Sequence, residues 1–380
     1  MFKQRLFTPG PTPVPENVMM TMAKPILHHR HPEFMEIFLR VNENLRYLFQ
    51  TKHDVCTLTS SGTGAMEAAV CNLLSRGDRA LVVNAGKFGE RWGEICRAYG
   101  VETEEIKVTW GQAVDPNDIE QRLRKQRQTK AVFVTQSETS TGVMQEVRKI
   151  ANVVKSTSHA IMIVDGITSI GSLEMRMDEW NIDVALTGSQ KGLMIPPGLS
   201  FIAMNDIAWK LAEQSSLPKY YFDLTLAKKA LSDEGTPWTP AVSLIIGLDV
   251  ALAMIREEGI EQVWKRHHYL AMAVREGCKA LGLQLFAHSP SNALTAVYIP
   301  AEIDYRKFSQ ILKNTYGITV AGGQGELKGK IIRISHLGYY DRLDAIAVIS
   351  ALEMALQDCS WNFEAGAGVK AAQAAFQSSL

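Results

Sequence analysis

The strongest constraint on the fold of this chain is a repeated alternation of short apolar segments with longer segments of helical periodicity. Helical patterns such as residues 64–75 and 117–126 lie between the apolar segments. Short, nearly continuous apolar segments are typical of parallel strands that are covered on both faces. The alternation therefore predicts an α/β fold. The apolar segments are ALVVNA (80–85), AVFVTQ (131–136), AIMIVD (160–165) and DVALTGS (183–189).

The C-terminal third of the chain differs from this alternating region. A long charged helical pattern covers residues 256–281, and two strand patterns and a further helix follow it. A length of 380 residues also favours two domains. We therefore expect a large domain at residues 16–255 and a smaller α+β domain at residues 256–380.

The two ends of the chain have distinct patterns. Four prolines at alternate positions from Pro9 to Pro15 exclude a regular helix, so we expect residues 1–15 to form an arm. Near the other end, Val369, Ala372 and Phe376 recur at helical spacing. This spacing predicts a terminal helix that docks on its own or a neighbouring domain.

Charge and hydropathy narrow the class of partner. Lysine plus arginine and aspartate plus glutamate number 40 each, so no net field favours nucleic acid or an acidic membrane. Small molecules are the expected ligands. No apolar run reaches about 18 residues, and the N-terminus lacks the apolar core and cleavage site of a secretory signal. We therefore expect a cytoplasmic protein.

The cysteines and histidines do not predict a metal site. The five cysteines form no CxxC pair and no cluster with metal-ligand spacing, so we expect reduced core thiols. The histidines of LHHRHPEF (27–34) also lack such a spacing. We interpret them as helix-start and interface residues; the lesser alternative places His28 or His29 close to the pocket. The cysteines are Cys56, Cys71, Cys96, Cys278 and Cys359.

Polar residues are concentrated just after the predicted strands. Ligands of open α/β sheets bind beyond the carboxyl ends of the strands, so these are the positions where a site is expected. The segments are TSSGTGAME (59–67), TQSETSTG (135–142), DGITSIG (165–171) and GSQKG (188–192). Their shared position predicts one pocket.

The segment SSGTG has the chemistry of an anion site. Gly62 and Gly64 allow close backbone approach, Ser61 or Thr63 supplies a hydroxyl, and the helix that follows presents free N–H groups. Phosphate is the expected ligand. The alternative is a simple helix cap, and the segment has neither the lysine of a P-loop nor the third glycine of a dinucleotide fingerprint.

Asp165 and Lys191 both end predicted strands. A buried carboxylate at Asp165 requires a positive partner or several donors, although capping of the next turn through Thr168 or Ser169 is an alternative. Lys191 lies in GSQKGLMIPPG, where burial would lower its pKa from about 10.4 and produce a nucleophilic neutral amine. The alternatives for Lys191 are an ion pair with Asp165 and a surface position.

The three features together match the requirements of one cofactor. Pyridoxal 5′-phosphate needs a phosphate cradle, a carboxylate beside its pyridine nitrogen and an amine that captures its aldehyde. The segment SSGTG, Asp165 and Lys191 supply these groups in that order.

The chain also resembles the class V aminotransferases of fold type I, and within them the alanine–glyoxylate, serine–pyruvate and serine–glyoxylate type. The resemblance runs nearly from end to end. It is carried by FTPGPTPVPENV, SGTGAMEAA, NAGKFGERW, SETSTGV, VDGITSIG, TGSQKGLMIPPGLSF, TPWTPAVSLIIGL and AGGQGELKGKIIRISHLG.

The resemblance implies a fold, an assembly and a set of site residues. It implies a large domain with a mainly parallel seven-stranded sheet, and a homodimer with composite active sites. Lys191 becomes the lysine that bonds the cofactor, and Asp165 the partner of the ring nitrogen. The other cofactor-binding positions that it implies are Ser61, Gly62, Thr63, Phe88, Thr139, Ile167, Gln190, Thr236 and Thr239. Arg333 and Gly10 become substrate-binding residues.

Arg333 has an interpretation of its own from its surroundings. It lies in the apolar strand pattern KIIRIS, where burial of an unpaired guanidinium would be costly. The paired N–H donors of a guanidinium match the two oxygens of a carboxylate, which is therefore the expected partner. The alternative is a structural ion pair within the small domain. Two positions depart from many relatives: Gln136 stands where they carry histidine, and Phe88 where they often carry tryptophan.

The expected activity is transamination. The donor is expected to be a small L-amino acid, alanine or serine first and aspartate also, and the acceptor a small 2-oxo acid such as glyoxylate or pyruvate. Two alternatives remain open: a cysteine desulfurase, which would need a nucleophilic cysteine on a mobile loop, and a non-catalytic subunit that retains the fold, as in relatives once named for hydrogenases.

Overall fold

The computed structural model describes residues 3–377 of the chain. Residues 1 and 2 of the expected arm and residues 378–380 of the expected small domain lie outside the described residues. The α-helices are α1 Glu16–Met22, α2 Pro32–Phe49, α3 Gly62–Leu73, α4 Lys87–Ala98, α5 Pro116–Lys125, α6 Val147–Thr157, α7 Asp206–Ala212, α8 Leu224–Ser232, α9 Val242–Glu258, α10 Ile260–Ala280, α11 Tyr305–Asn314, α12 Arg342–Asp358 and α13 Ala367–Gln377.

The strands form two main sheets and a short hairpin. They are β1 Arg5–Phe7, β2 Val55–Leu58, β3 Arg79–Asn84, β4 Glu102–Lys107, β5 Thr129–Thr135, β6 Ser137–Glu138, β7 Val143–Met144, β8 Ile161–Asp165, β9 Val184–Gly188, β10 Ser200–Met204, β11 Leu294–Tyr298, β12 Ile318–Gly322 and β13 Ile331–Ser335.

The large sheet has seven strands in the order β2-β10-β9-β8-β5-β3-β4. The five strands from β9 to β4 are parallel to one another, and β10 is antiparallel to both β9 and β2. The predicted α/β fold with a mainly parallel seven-stranded sheet is confirmed.

Alternate residues of the strands enter two different hydrophobic cores, so both faces of the large sheet are covered. In β5, Val132 and Val134 belong to one core, whereas Ala131 and Phe133 belong to the other. This two-sided burial explains why the strands were visible as continuous apolar segments.

The second sheet has four strands in the order β1-β12-β13-β11 and encloses a third core with α10, α11, α12 and α13. Its strand β1 comes from the N-terminal arm and pairs in parallel with β12. The arm therefore joins the first residues of the chain to its C-terminal part. The domain boundaries given by the sequence stay a prediction.

The predicted terminal helix is present as α13. Ala372 and Phe376 are buried in the third core, and Val369 packs against it. No helix of the described residues is long and apolar enough to cross a membrane.

Candidate active site

Asp165 and Lys191 lie at the same edge of the large sheet. Asp165 is the last residue of β8, Lys191 lies in the turn after β9, and these strands are parallel neighbours. Both side chains are buried, with exposed fractions of 2% and 8%. The fold therefore brings together the two residues that the sequence singled out.

The Lys191 amine contacts the arm, since its Nζ donates a hydrogen bond to the main-chain oxygen of Pro9. Burial lowers the pKa of Lys191 to about 8; the charge of Asp165 opposes this shift, and Arg333 and Arg91 add to it. Within the described residues Lys191 forms no ion pair with Asp165, and it is not at the surface. Both structural alternatives for this lysine are therefore wrong.

The arm crosses directly over Lys191. Thr12 donates its N–H to the Gln190 oxygen at 3.2 Å and its hydroxyl to the Lys191 oxygen at 3.1 Å. Gly10 has a φ of +124° and lies so close that a side chain there would overlap the Lys191 amine. The predicted substrate-binding residue Gly10 thus lies beside the predicted reactive amine.

The negative charge of the Asp165 carboxylate is only partly offset by its neighbours. Its Oδ1 accepts the Ile167 N–H at 2.8 Å, and its Oδ2 accepts the Thr135 hydroxyl at 3.3 Å. Burial raises the pKa of Asp165 to about 6, and these hydrogen bonds and Lys191 only partly oppose it. Asp165 does cap the next turn, but through the Ile167 N–H and not through the expected Thr168 or Ser169: the Thr168 hydroxyl donates to the Ser137 oxygen, and the Ser169 N–H donates to the Gly166 oxygen. The carboxylate retains acceptor capacity for a further cation.

The segment SSGTG forms the start of α3, beside Ile167 and Gln190. Ser61 occupies the N-cap position but makes no side-chain capping bond, so the simple cap is not what the structure shows. Gly62 is packed against Ile167, because a Cβ at Gly62 would lie 2.5 Å from the Ile167 Cδ1. The amide oxygen of Gln190 is buried and has no hydrogen-bond partner in the described chain.

Arg91 is a residue of this cradle that the sequence interpretation missed. Its Nη1 donates to the Thr63 hydroxyl at 3.2 Å, and its guanidinium carbon lies 4.9 Å from the centroid of the Phe88 ring. No carboxylate of the described residues forms an ion pair with it. The signal in the sequence was its spacing, because residues three apart on a helix are neighbours, as Phe88 and Arg91 are.

Glu138 is a second missed residue, and it fixes the position of two predicted ones. Its buried carboxylate accepts the N–H groups of Phe88 at 3.1 Å and Gly89 at 3.0 Å. It also accepts the N–H of Ser140 at 3.1 Å and the Ser140 hydroxyl at 2.5 Å. Burial raises the pKa of Glu138, and the four hydrogen bonds oppose the rise. Glu138 therefore joins the start of α4, with Phe88, to the loop that carries Thr139.

Arg333 is buried at the centre of the small sheet and contacts the large-sheet loops. Its Nε donates to the Gly322 oxygen at 2.9 Å, and its Nη1 donates to the Thr139 oxygen at 2.8 Å. Burial lowers its pKa. Both acceptors are neutral, and the described residues provide no carboxylate partner, so the structural ion pair is wrong. Its charge remains available to an anionic ligand.

Thr236 and Thr239 are not part of this cluster within one chain. The Thr236 hydroxyl donates to the Trp238 oxygen at 2.7 Å, and Thr239 is exposed. Their implied contact with a neighbouring subunit stays a prediction.

The residues present fit pyridoxal 5′-phosphate. The amine of Lys191, the partly compensated Asp165 and the cradle made by the start of α3 with Arg91 meet separate requirements of one molecule. The described residues contain no cluster of His, Cys, Asp and Glu that could hold a metal ion.

Comparisons with known proteins agree with this geometry. The family described as "Aminotransferase class-V" matches residues 5–349. The chain is 44% identical to the "Soluble hydrogenase, small subunit" of a Synechococcus species, over 97% of each chain. It is 35% identical to an L-aspartate–glyoxylate aminotransferase of Paracoccus denitrificans, over 97% of this chain and 95% of the relative.

The solved structures include a close structural match. The crystal structure of ureidoglycine–glyoxylate aminotransferase from Bacillus subtilis superposes with a TM-score of 0.95 at 30% identity, and 99% of each chain is covered.

Proposed function

Since the chain belongs to the class V aminotransferases and is a transaminase that uses pyridoxal 5′-phosphate, we propose that it transfers the amino group of a small L-amino acid to a small 2-oxo acid. Alanine and serine are the first proposed donors and aspartate the next; glyoxylate and pyruvate are the proposed acceptors. The observation that carries this proposal is a buried amine of lowered pKa, placed near a buried carboxylate and a buried arginine without an acidic partner.

Lys191 and Asp165 are the proposed catalytic residues. When bound, the cofactor supplies an aldehyde that captures amino groups and a ring that withdraws electrons from the substrate Cα. Lys191 Nζ would hold the cofactor and would be the base that takes the proton from the substrate Cα, a task that suits an amine with a pKa of about 8. Asp165 holds a proton on the ring nitrogen through a charge-assisted hydrogen bond.

The remaining cofactor contacts follow from position. The start of α3 offers free N–H groups and hydroxyls to the phosphate, and Arg91 offers the positive charge that this otherwise neutral cradle lacks. Phe88 and Ile167 would flank the two faces of the ring, and Thr139 would lie near its hydroxyl. The residues assigned to the phosphate are Ser61, Gly62, Thr63, Arg91 and Gln190.

Arg333 binds the substrate carboxylate in this proposal. Its two hydrogen bonds to main-chain oxygens fix the guanidinium plane, and its Nη2 has no partner among the described residues. Gly10 keeps the space beside Lys191 free for the substrate, because any larger residue would occupy it.

The proposed assembly is a homodimer with composite sites. Met20 and Ile26 are each 72% exposed and Met19 is 50% exposed, which leaves an apolar surface on and after α1 for a second copy. Thr236 and Thr239 would reach the phosphate of the neighbouring subunit. Mixing a Lys191→Ala chain with a Thr236→Ala/Thr239→Ala chain tests this, because composite sites restore activity only in the mixed dimer. The cytoplasmic location stays a prediction.

The two alternatives have less support. A desulfurase needs an accessible thiolate, but burial raises the pKa of Cys56, Cys71, Cys96 and Cys278 to about 12. The fifth thiol, Cys359, packs beside the small-domain core. A non-catalytic subunit would have no need to retain the amine, the carboxylate and the arginine together.

A half-reaction screen tests the proposed function. The purified protein loaded with cofactor is mixed with each amino acid in turn, and the visible absorbance of the lysine-bound cofactor is followed. Alanine, serine or aspartate should abolish this absorbance, and glyoxylate or pyruvate should restore it. An absence of response to every amino acid would overturn the proposal and favour the non-catalytic subunit.

A further inference from the structure

The main chain of Lys191 is supported by a turn from the small-domain side, which we call the Gly338 turn (residues 336–340). Gly338 has a φ of +93°, and a Cβ there would lie 3.2 Å from the Lys191 oxygen and 3.3 Å from the Thr12 hydroxyl. The positive φ strongly favours glycine at this position, and the approach leaves little room for a side chain. The turn lies against the carbonyl of the reactive lysine and against the arm.

Two consecutive residues of α10 bind both polar main-chain groups of Gly338. The Nε2 of His267 accepts the Gly338 N–H at 2.9 Å. The Nη1 of Arg266 donates to the Gly338 oxygen at 2.9 Å and to the Tyr340 oxygen at 3.1 Å. Arg266 is itself held by Glu258 through two hydrogen bonds of 2.7 and 2.9 Å.

The tautomer of His267 is determined by its partners. Its Nδ1 lies 2.7 Å from the Val263 oxygen, and a carbonyl only accepts, so Nδ1 carries the proton and Nε2 is the acceptor. His267 is fully buried, and burial lowers its pKa to about 3. The imidazole is therefore neutral at ordinary pH and keeps its acceptor on Gly338.

The Gly338 turn also anchors the arm. The Tyr340 hydroxyl donates to the Leu6 oxygen at 2.6 Å, and its ring stacks on Phe7 with centroids 5.2 Å apart. The arm is thus fixed by Tyr340 on one side of Gly10 and, through Thr12, by the Lys191 turn on the other.

We propose that His267 and Arg266 are positioning residues for the reaction: by fixing the Gly338 turn, they hold the Lys191 main chain and the overlying arm where the amine can reach the substrate Cα. This inference rests on the role proposed for Lys191. Neither residue touches the reacting atoms, and both act through Gly338. Misplacement of a reacting group by about 1 Å costs on the order of 100-fold in rate.

Substitution of His267 tests the proposal with matched controls. His267→Leu removes the acceptor while keeping the bulk, and kcat should fall about 10- to 100-fold. His267→Gln places an amide oxygen near the position of Nε2 and should recover most of this loss. His268→Leu removes the neighbouring, exposed histidine and should leave kcat unchanged.

Hydrogen exchange in the cofactor-free protein provides a readout that is independent of activity. The N–H of Thr12, bonded to Gln190, should exchange faster in His267→Leu than in the wild type, His267→Gln or His268→Leu. If His267→Leu does not fold, Arg266→Met replaces it in the same measurement. Wild-type exchange and kcat in His267→Leu, or a failure of His267→Gln to recover, would overturn the inference. A wild-type protein that responds to no amino acid would overturn the proposed function instead.

Discussion

The two ends of the parallel strands in the large sheet each contain a buried aspartate and a nearby lysine. The charge of the aspartate is neutralised by the lysine at one end and not at the other. At the amino edge of β9, Asp183 accepts two bonds from Lys155 at 2.6 and 2.5 Å. It also accepts the Asn205 amide at 2.9 Å and the Met162 N–H at 2.7 Å. This carboxylate has all of its acceptor capacity in use, so the pair is structural.

At the carboxyl edge, the corresponding residues Asp165 and Lys191 form no ion pair. Asp165 accepts one short and one long hydrogen bond, and Lys191 donates to a neutral carbonyl of the arm. The pKa of Asp165 is raised and that of Lys191 is lowered, both chiefly by burial. The comparison shows that residue type and burial alone do not mark a site. What distinguishes the predicted site is that its buried charges are only partly offset, which is costly unless a ligand supplies the missing partners.

The largest expected effect is that of Lys191→Ala. Without the amine the cofactor loses its covalent bond and the Cα proton loses its acceptor, so kcat should fall on the order of 10⁴-fold. The absorbance of the lysine-bound cofactor should also be absent, and borohydride should no longer fix the cofactor to the chain. An unchanged spectrum in this variant would refute the assignment of Lys191.

Asp165→Asn should have the second-largest effect. Asparagine keeps the shape but cannot hold the ring nitrogen in its protonated form, so kcat should fall on the order of 10²- to 10³-fold. The cofactor should still attach to Lys191, which an absorbance titration detects. A variant with wild-type kcat would show that the open carboxylate has no electronic role.

Arg333→Ala should act mainly on substrate binding. Loss of a hydrogen bond to a charged group costs about 1.5–3 kcal/mol, which corresponds to a rise in amino-acid KM of roughly 10- to 100-fold. Attachment of the cofactor should persist. Arg333→Lys retains the charge without the fork and should fall between the two proteins. Normal substrate affinity in the alanine variant would contradict the carboxylate role.

Arg91→Met should weaken cofactor binding by about tenfold, because the phosphate would lose one charge-assisted contact. Fluorescence titration of the cofactor-free protein should show this loss for pyridoxal phosphate but not for pyridoxal, which has no phosphate. Arg97→Met removes the same charge from the same helix, where Arg97 pairs with Glu105, and is the matched control. Equal losses with both ligands would exclude a phosphate contact.

The smallest effect on turnover is expected at the compensated edge. Asp183→Asn removes the charge that Lys155 binds and should lower the free energy of unfolding by about 3 kcal/mol. Chemical denaturation measures this loss, and kcat at moderate temperature should remain that of the wild type. A fall in kcat in a fully folded Asp183→Asn protein would show that the two edges are not independent.

Much of the large domain could be predicted from the sequence because its signals are local. All four apolar segments correspond to strands, and the helical patterns at 64–75 and 117–126 correspond to α3 and α5. The position of Lys191 and Asp165 at neighbouring strand ends followed from the general rule for open sheets. Their roles, and those of the other predicted residues, stay predictions until the variants are measured.

Glu138 and Arg91, which the sequence did not indicate, act through contacts with other segments of the chain. Glu138 acts through N–H groups of another segment, and Arg91 through a hydroxyl on α3. The partners that connect each of them to the other parts of the predicted site are distant in sequence, and local spacing does not indicate them. The position of Gly10 came from the family resemblance, because no local pattern indicates that the arm crosses Lys191.

The sequence by itself determined the α/β alternation, the strand ends and the residue types available at them, since apolar periodicity and glycine or proline positions act over a few residues. Only the tertiary structure decided which charges are compensated. Asp183 and Asp165 both lie at the ends of buried apolar strands, and what separates them is Lys155, which packs beside one and not the other. Compensation depends on contacts across the fold, and these exist only once the chain has packed.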